Sequence, residues 1–153
     1  MNNKITSLKE KFRVALTSTA KVISEDFNLK NNKLKNSNIF EIDDIKNPND
    51  FIRIRAETDS EALKKKFSDN LIHKKNLPSN SSSRLLYNIA EKIRCESLGG
   101  QMLKGIKKNF DKNYNLMISL KKKDQLKTME DVPIAEAFEL YMLKNFHQIK
   151  LNP

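Results

Sequence analysis

The sequence predicts an all-α fold: one helical domain over residues 1–153, a bundle of about four helices, two of them long. Three observations carry that expectation. The 153 residues include only three glycines and four prolines, too few for the many turns of a sandwich or barrel. Apolar residues recur at three-and-four spacing along most of the chain, which stacks them on one helical face. The length suits one ordinary domain and is short for two.

Residues 5–24 read as the first amphipathic helix, with Ile5, Leu8, Phe12, Leu16, Thr19 and Ile23 on its inner face. Ser7 and Glu10 have the spacing of a capping box, which places the start of the helix proper near Leu8. Asn28 to Asn38 alternates Asn and Lys around Leu29 and Leu34 and reads as a loop. Ile39-Phe40-Glu41-Ile42 is a brief apolar–polar alternation, so a short extended or β element is expected near residues 38–43. It is too short to build a sheet alone.

Asn47-Pro48 opens the second helix, with Asn as N-cap and Pro at the first helical position. Phe51, Ile54, Thr58, Ala62, Leu63, Phe67 and Leu71 carry its face to about His73, a rod of roughly 40 Å. Pro78 and the polar residues 79–83 end it and cap the third helix. That helix runs from Arg84 through Leu86, Ile89, Ile93, Ser97, Gly100, Leu103, Ile106, Phe110 and Tyr114 to Met117. Gly99-Gly100 interrupts the pattern at about 1 kcal/mol per glycine relative to alanine. Either the helix breaks there or the glycines admit a neighbouring backbone; unbroken phase across the pair favours the second. Thr128 to Asp131 offers caps before Pro133, and Ile134, Ala137, Phe138, Tyr141, Met142 and Phe146 define the last helix.

No apolar run approaches the length of about 18 residues that spans a membrane. Met1-Asn2-Asn3-Lys4 leads into an amphipathic stretch in place of an apolar signal core. Cys95 is the only cysteine, so no internal disulfide is possible, and with two histidines it completes no Cys/His zinc site. These features predict a reduced, cytoplasmic protein.

The net charge of +10 raises a second class of function, a small basic helical protein that binds nucleic acid. Against it, the arginines are only Arg13, Arg53, Arg55, Arg84 and Arg94, and base readout favours guanidinium over ammonium. Lys64-Lys65-Lys66 and Lys121-Lys122-Lys123 adjoin amphipathic segments and read as solvated helix faces. An acidic protein partner accounts for the charge equally well.

Catalytic chemistry finds little support. Gly100 and Gly105 have the first spacing of a phosphate loop, but Ile106 stands where its lysine belongs. Cys95, between Arg94 and Glu96, reads as a packing cysteine. His73 reads as a structural or solvated helix-end residue, and His147 has less to recommend it. Asp43-Asp44 and Glu57/Asp59 read as surface carboxylates. No catalytic residue and no metal ligand is assigned; an enzyme using His73 or Cys95 is the weakest of the three classes of function.

The segment from Arg94 to Asn109, Arg-Cys-Glu-Ser-Leu-Gly-Gly-Gln-Met-Leu-Lys-Gly-Ile-Lys-Lys-Asn, is the most distinctive in the chain. It resembles the Arg-x-Glu-Ala-Leu-Gly-Ala-x-x-Met-x-Gly-Val-x-x-Asn stretch of the T subunit of aerobic cobaltochelatase. Arg94, Glu96, Leu98, Gly99, Met102, Gly105 and Asn109 fall in register. The run from Lys11 to Thr19, residues Asp59 to Leu63, Leu71 to Lys75 with Pro78, and Pro133 to Ala137 are similar to further family segments in the same order. The resemblance spans nearly the whole chain and is dense over residues 84–110.

The resemblance implies membership in an ATP-driven machine that inserts cobalt into hydrogenobyrinic acid a,c-diamide during cobalamin biosynthesis. A large subunit binds the corrin, an AAA+ subunit hydrolyses ATP, and the T subunit assembles with it as scaffold and coupler without catalysing the reaction itself. ATP, magnesium and cobalt belong to the complex, with no cofactor expected on this chain. Family members continue into an acidic linker and a C-terminal integrin-like domain with a metal site. A chain stopping at Leu151-Asn152-Pro153 is thus expected to be a fragment or a truncated product.

Arg94, Glu96, Gly99, Met102, Gly105 and Asn109 are the candidates for partner binding or packing, packing and capping ranking first. Gly99 and Gly105 lie about 240° apart round a helix and need not share a face. Arg94 and Glu96, two apart, face different neighbours.

Overall fold

The computed structural model describes residues 2–27, 45–120 and 133–150, in two compact units divided between Lys66 and Phe67. Every regular element among these residues is helical: α1 (Asn2–Ser24), α2 (Pro48–Phe67), α3 (Asn70–Lys75), α4 (Ser81–Met102), α5 (Lys104–Leu120) and α6 (Ile134–Met142). One turn of π-helix, Leu143–His147, continues α6. The fold is all-α, as the spacing predicts. The extended element expected near residues 38–43, the loop before it and the caps over 128–131 lie outside the described residues. Among the described residues no helix is long and apolar enough to cross a membrane.

The first unit contains α1 and most of α2. Leu16, Ala20 and Ile23 are buried on α1, as are Ile54, Ala56, Ala62 and Leu63 on α2. The Phe12 and Phe51 rings meet edge to face at 4.9 Å, and Glu25 pairs with Lys66, so the two helices run in the same sense. Asn47 caps α2 as expected: its Oδ1 accepts from the Asn49 and Asp50 amides at 2.9 and 3.2 Å. Asp50 reciprocates by accepting from the Lys46 and Asn47 amides, and these bonds hold its carboxyl below the usual range. The start expected near Leu8 is not where the helix begins: α1 already begins at Asn2. Glu10 instead pairs with Arg13 one turn on, Nε to Oε2 at 2.8 Å. Asp59 also departs from expectation. It lies 1% exposed, on the stretch of α2 that buries Thr58, Ser60, Ala62 and Leu63.

Both helices expected to be long are divided, so six α-helices stand among the described residues where about four were expected. The second stops at Phe67, and Asp69 starts α3 by accepting from the Leu71 and Ile72 amides at 2.8 and 3.1 Å. A short acidic side chain at this position offers the backbone a cap in place of helix continuation. Asn80 does the same for α4, accepting from Ser82 and Ser83.

The third helix runs unbroken through Gly99 and Gly100, both buried, and breaks at Leu103, which is extended at φ −131°, ψ 102°. The Leu103 amide still donates to Gly99 O at 2.9 Å, while its carbonyl accepts from Ile106 and Lys107 at 3.0 and 3.2 Å. One residue thus ends α4 and begins α5. At Gly100 a neighbouring helix does come close: a Cβ there would lie 3.4 Å from Cβ and 3.7 Å from Cα of Lys107. The hairpin packs α5 back along α4, and α6 and the π turn also lie against α4. Ile93, Cys95, Ile106, Phe110, Tyr114, Leu143 and Ile149 form this second core.

Candidate functional site

The distinctive segment from Arg94 to Asn109 folds as the closed end of the α4–α5 hairpin, and its side chains divide between the interior and solvent. Glu96, Gly99 and Gly100 point into the core with Ile93 and Cys95. Gln101, Met102, Leu103, Lys104 and Gly105 form an exposed elbow, Met102 at 59% and Leu103 at 49%. Asn109 is half-buried and engaged by the surrounding chain.

Inside the hairpin, Glu96 is 1% exposed and accepts a hydrogen bond from the Tyr114 hydroxyl at 2.5 Å. Lys92 Nζ lies 4.0 Å from the other carboxylate oxygen and 5.7 Å from the Tyr114 ring centroid. His147, at the end of the π turn, brings Nε2 to 3.6 Å from Glu96 Oε2 and packs against the Phe110 and Tyr114 rings. At that separation the contact is not a hydrogen bond, and Nε2 is buried without one. Burial pushes the His147 pKa down to about 4, so the ring is neutral near pH 7. Burial and the neighbouring Glu96 carboxylate raise the Tyr114 phenol well above its ordinary value. The π turn is therefore placed against α4 at a buried cluster of Glu96, Tyr114 and His147.

The sequence assigns His147 no role, and the structure places it in the core beside Glu96. Its spacing from Leu143 signals an inward position, but nothing local shows that a π turn carries it onto Glu96. Gln148 follows in left-handed conformation at φ 57° and turns Ile149 back into the core.

A second polar group lies across the outer side of α4. Arg94 Nε donates to Glu91 at 2.7 Å, and its Nη2 donates to both Glu91 and the Phe67 carbonyl at 2.8 Å. This fork holds the Glu91 carboxyl down at about 2. Arg94 and Glu96 thus face different partners. Cys95 lies between them, fully buried, its thiol pushed up to about 11 mainly by desolvation. Such a thiol is protonated and unreactive at neutral pH. His73 stacks 5.1 Å from Tyr87 at the edge of this group.

The glycines differ in their surroundings. A Cβ on Gly100 would rest in van der Waals contact with Lys107, whereas a Cβ on Gly105 would meet nothing within 4 Å. Neither glycine has a positive φ. Gly105, in the first turn of α5, therefore costs the helix at most about 1 kcal/mol relative to alanine. Among the described residues no three His, Cys, Asp or Glu side chains group as a metal site.

Comparison with known proteins agrees with the pattern in this hairpin. The family model described as cobalamin biosynthesis protein CobT matches residues 6–146. No curated protein and no solved structure matches the chain.

Proposed function

The chain belongs to the CobT family of cobalamin biosynthesis proteins, and on that premise we propose that it serves as an assembly and coupling subunit of an ATP-dependent cobaltochelatase. In this role it binds partner subunits and catalyses no step itself. Cobalt insertion into hydrogenobyrinic acid a,c-diamide takes place on a large corrin-binding subunit, and an AAA+ subunit supplies the energy of ATP hydrolysis. ATP, magnesium and the cobalt substrate are handled by those subunits.

The observation that best supports this role is the division of residues 94–109. Glu96, Gly99 and Gly100 build the hairpin, while Met102, Leu103 and Gly105 are presented together at its exposed end. Exposed apolar side chains beside a glycine with open space suit a surface that another protein covers. The ionised Glu91–Arg94 fork and the Glu96–Tyr114 bond hold that end on a fixed scaffold.

The test is co-precipitation of the chain with the AAA+ subunit and with the large subunit, with and without ATP, at low and moderate salt. Retention that responds to nucleotide and survives moderate salt is expected. Failure to bind either subunit overturns the assembly role.

A further inference from the structure

We propose that the outer face of α5, together with the α4–α5 elbow, docks an acidic amphipathic helix of a partner protein. The inference rests on the assembly role above for the partner's identity, and on the following geometry for its chemistry. Lys104, Lys108 and Lys112 stand at successive four-residue steps on α5, and all three are exposed. Four residues of helix rise about 6 Å, so the row lies along one side of the rod. None of the three pairs with a carboxylate among the described residues. The nearest acid in sequence, Asp111, is held by Lys107 at 3.0 Å on the flank of the helix. Asn115 and Ser119 continue the same face without adding negative charge.

The rest of the surface selects the class of partner. Met102 and Leu103, about half exposed, adjoin the head of the row and offer apolar anchors that a phosphate backbone does not use. Gly105 lies beside the row with open space above it, which admits close approach of another main chain. The cations are all lysine, without the bidentate arginines that favour phosphate and base recognition. A helix with Glu or Asp at four-residue spacing, next to a row of Leu or Met, matches both the charge spacing and the elbow.

The experiment is an NMR titration of the isotope-labelled chain with three probes. They are a synthetic helix with Glu at four-residue spacing beside a Leu/Met row, a scrambled peptide of the same composition, and a duplex DNA oligonucleotide. The helical peptide is expected to shift amides within residues 101–112. The K104E/K108E/K112E variant is expected to weaken it by about tenfold or more. Gly105→Leu, which has room within the chain, is expected to weaken it comparably, and K74E/K75E on α3 to leave it within about twofold. Shifts centred elsewhere, equal binding of the scrambled peptide, equal loss in K74E/K75E, or tighter binding of DNA to the row overturns the proposal. Repeating the subunit co-precipitation with the lysine variant separates the two readings. If the peptide occupies this row but neither subunit binds, the surface stands and the assembly role fails. Subunit binding unchanged by the three substitutions overturns the surface alone.

Discussion

The Tyr114 hydroxyl donates to the Glu96 carboxylate at 2.5 Å, with both side chains almost wholly buried. One residue comes from each arm of the α4–α5 hairpin, so the bond sets how the arms register. A buried carboxylate is costly unless its oxygens are engaged, and here the Tyr114 hydroxyl engages it while Lys92 supplies a nearby positive charge. Tyr114→Phe removes the donor and leaves the acceptor buried, which should cost about 1–3 kcal/mol. In a double-mutant cycle with Glu96→Gln, the combined loss in urea unfolding should fall short of the sum of the two. Strict additivity would show that the pair is not energetically coupled.

His147 makes stability depend on pH. Its pKa is about 4 in the folded protein against 6.5 for the free side chain, so the unfolded chain binds the extra proton first as pH falls. Stability is then fully present above pH 6.5 and declines toward pH 4, by at most about 3 kcal/mol. Glu96 and Lys92 of α4, and Asp111, Lys107 and Tyr114 of α5, are the charged and titratable groups around the ring. Thermal unfolding across this range should show the decline in the native protein and a flatter profile in His147→Leu. The lowered Glu91 carboxyl acts at more acid pH: its contribution is present above pH 4.5 and is lost as pH falls toward about 2.

The glycines at 100 and 105 should respond in opposite ways to added bulk. Gly105→Ala, in the first turn of α5, gains at most about 1 kcal/mol of helix propensity into open space. A large residue at Gly100 meets Lys107 and forces the arms apart, so Gly100→Leu should destabilise by about 1–3 kcal/mol. Urea midpoints for the two variants test the contrast. A destabilised Gly105→Ala would contradict the open environment of that position.

Asp69 is the side chain that starts α3. Asp69→Ala should cost about 1 kcal/mol and act locally. Hydrogen exchange at amides 70–75 should accelerate while those in the α4–α5 core keep their protection. Uniform acceleration would mean that the six-residue helix unfolds only with the rest of its unit.

Helix content and the Asn47-Pro48 start were legible from residues near one another, because periodicity and capping are local properties. The Arg94–Asn109 pattern also led to the CobT family. Within that pattern, Glu96, Gly99 and Gly100 turned out to face inward and Met102 and Gly105 outward. Sequence spacing alone left those roles open, since an unbroken helix and a hairpin share the same phase through Gly100. The break falls at Leu103, where the return of α5 onto α4 replaces continued helix with packing between helices.

The sequence by itself determined the all-α class, the helix starts at Pro48 and Ile134 and the family, since each depends on contiguous residues. Tertiary structure decided the partners of Glu96. Tyr114 and His147 lie 18 and 51 positions further along the chain, and no local rule relates them to Glu96. A folded hairpin and one π turn bring the three together, because burying that carboxylate requires polar neighbours that only the assembled core supplies.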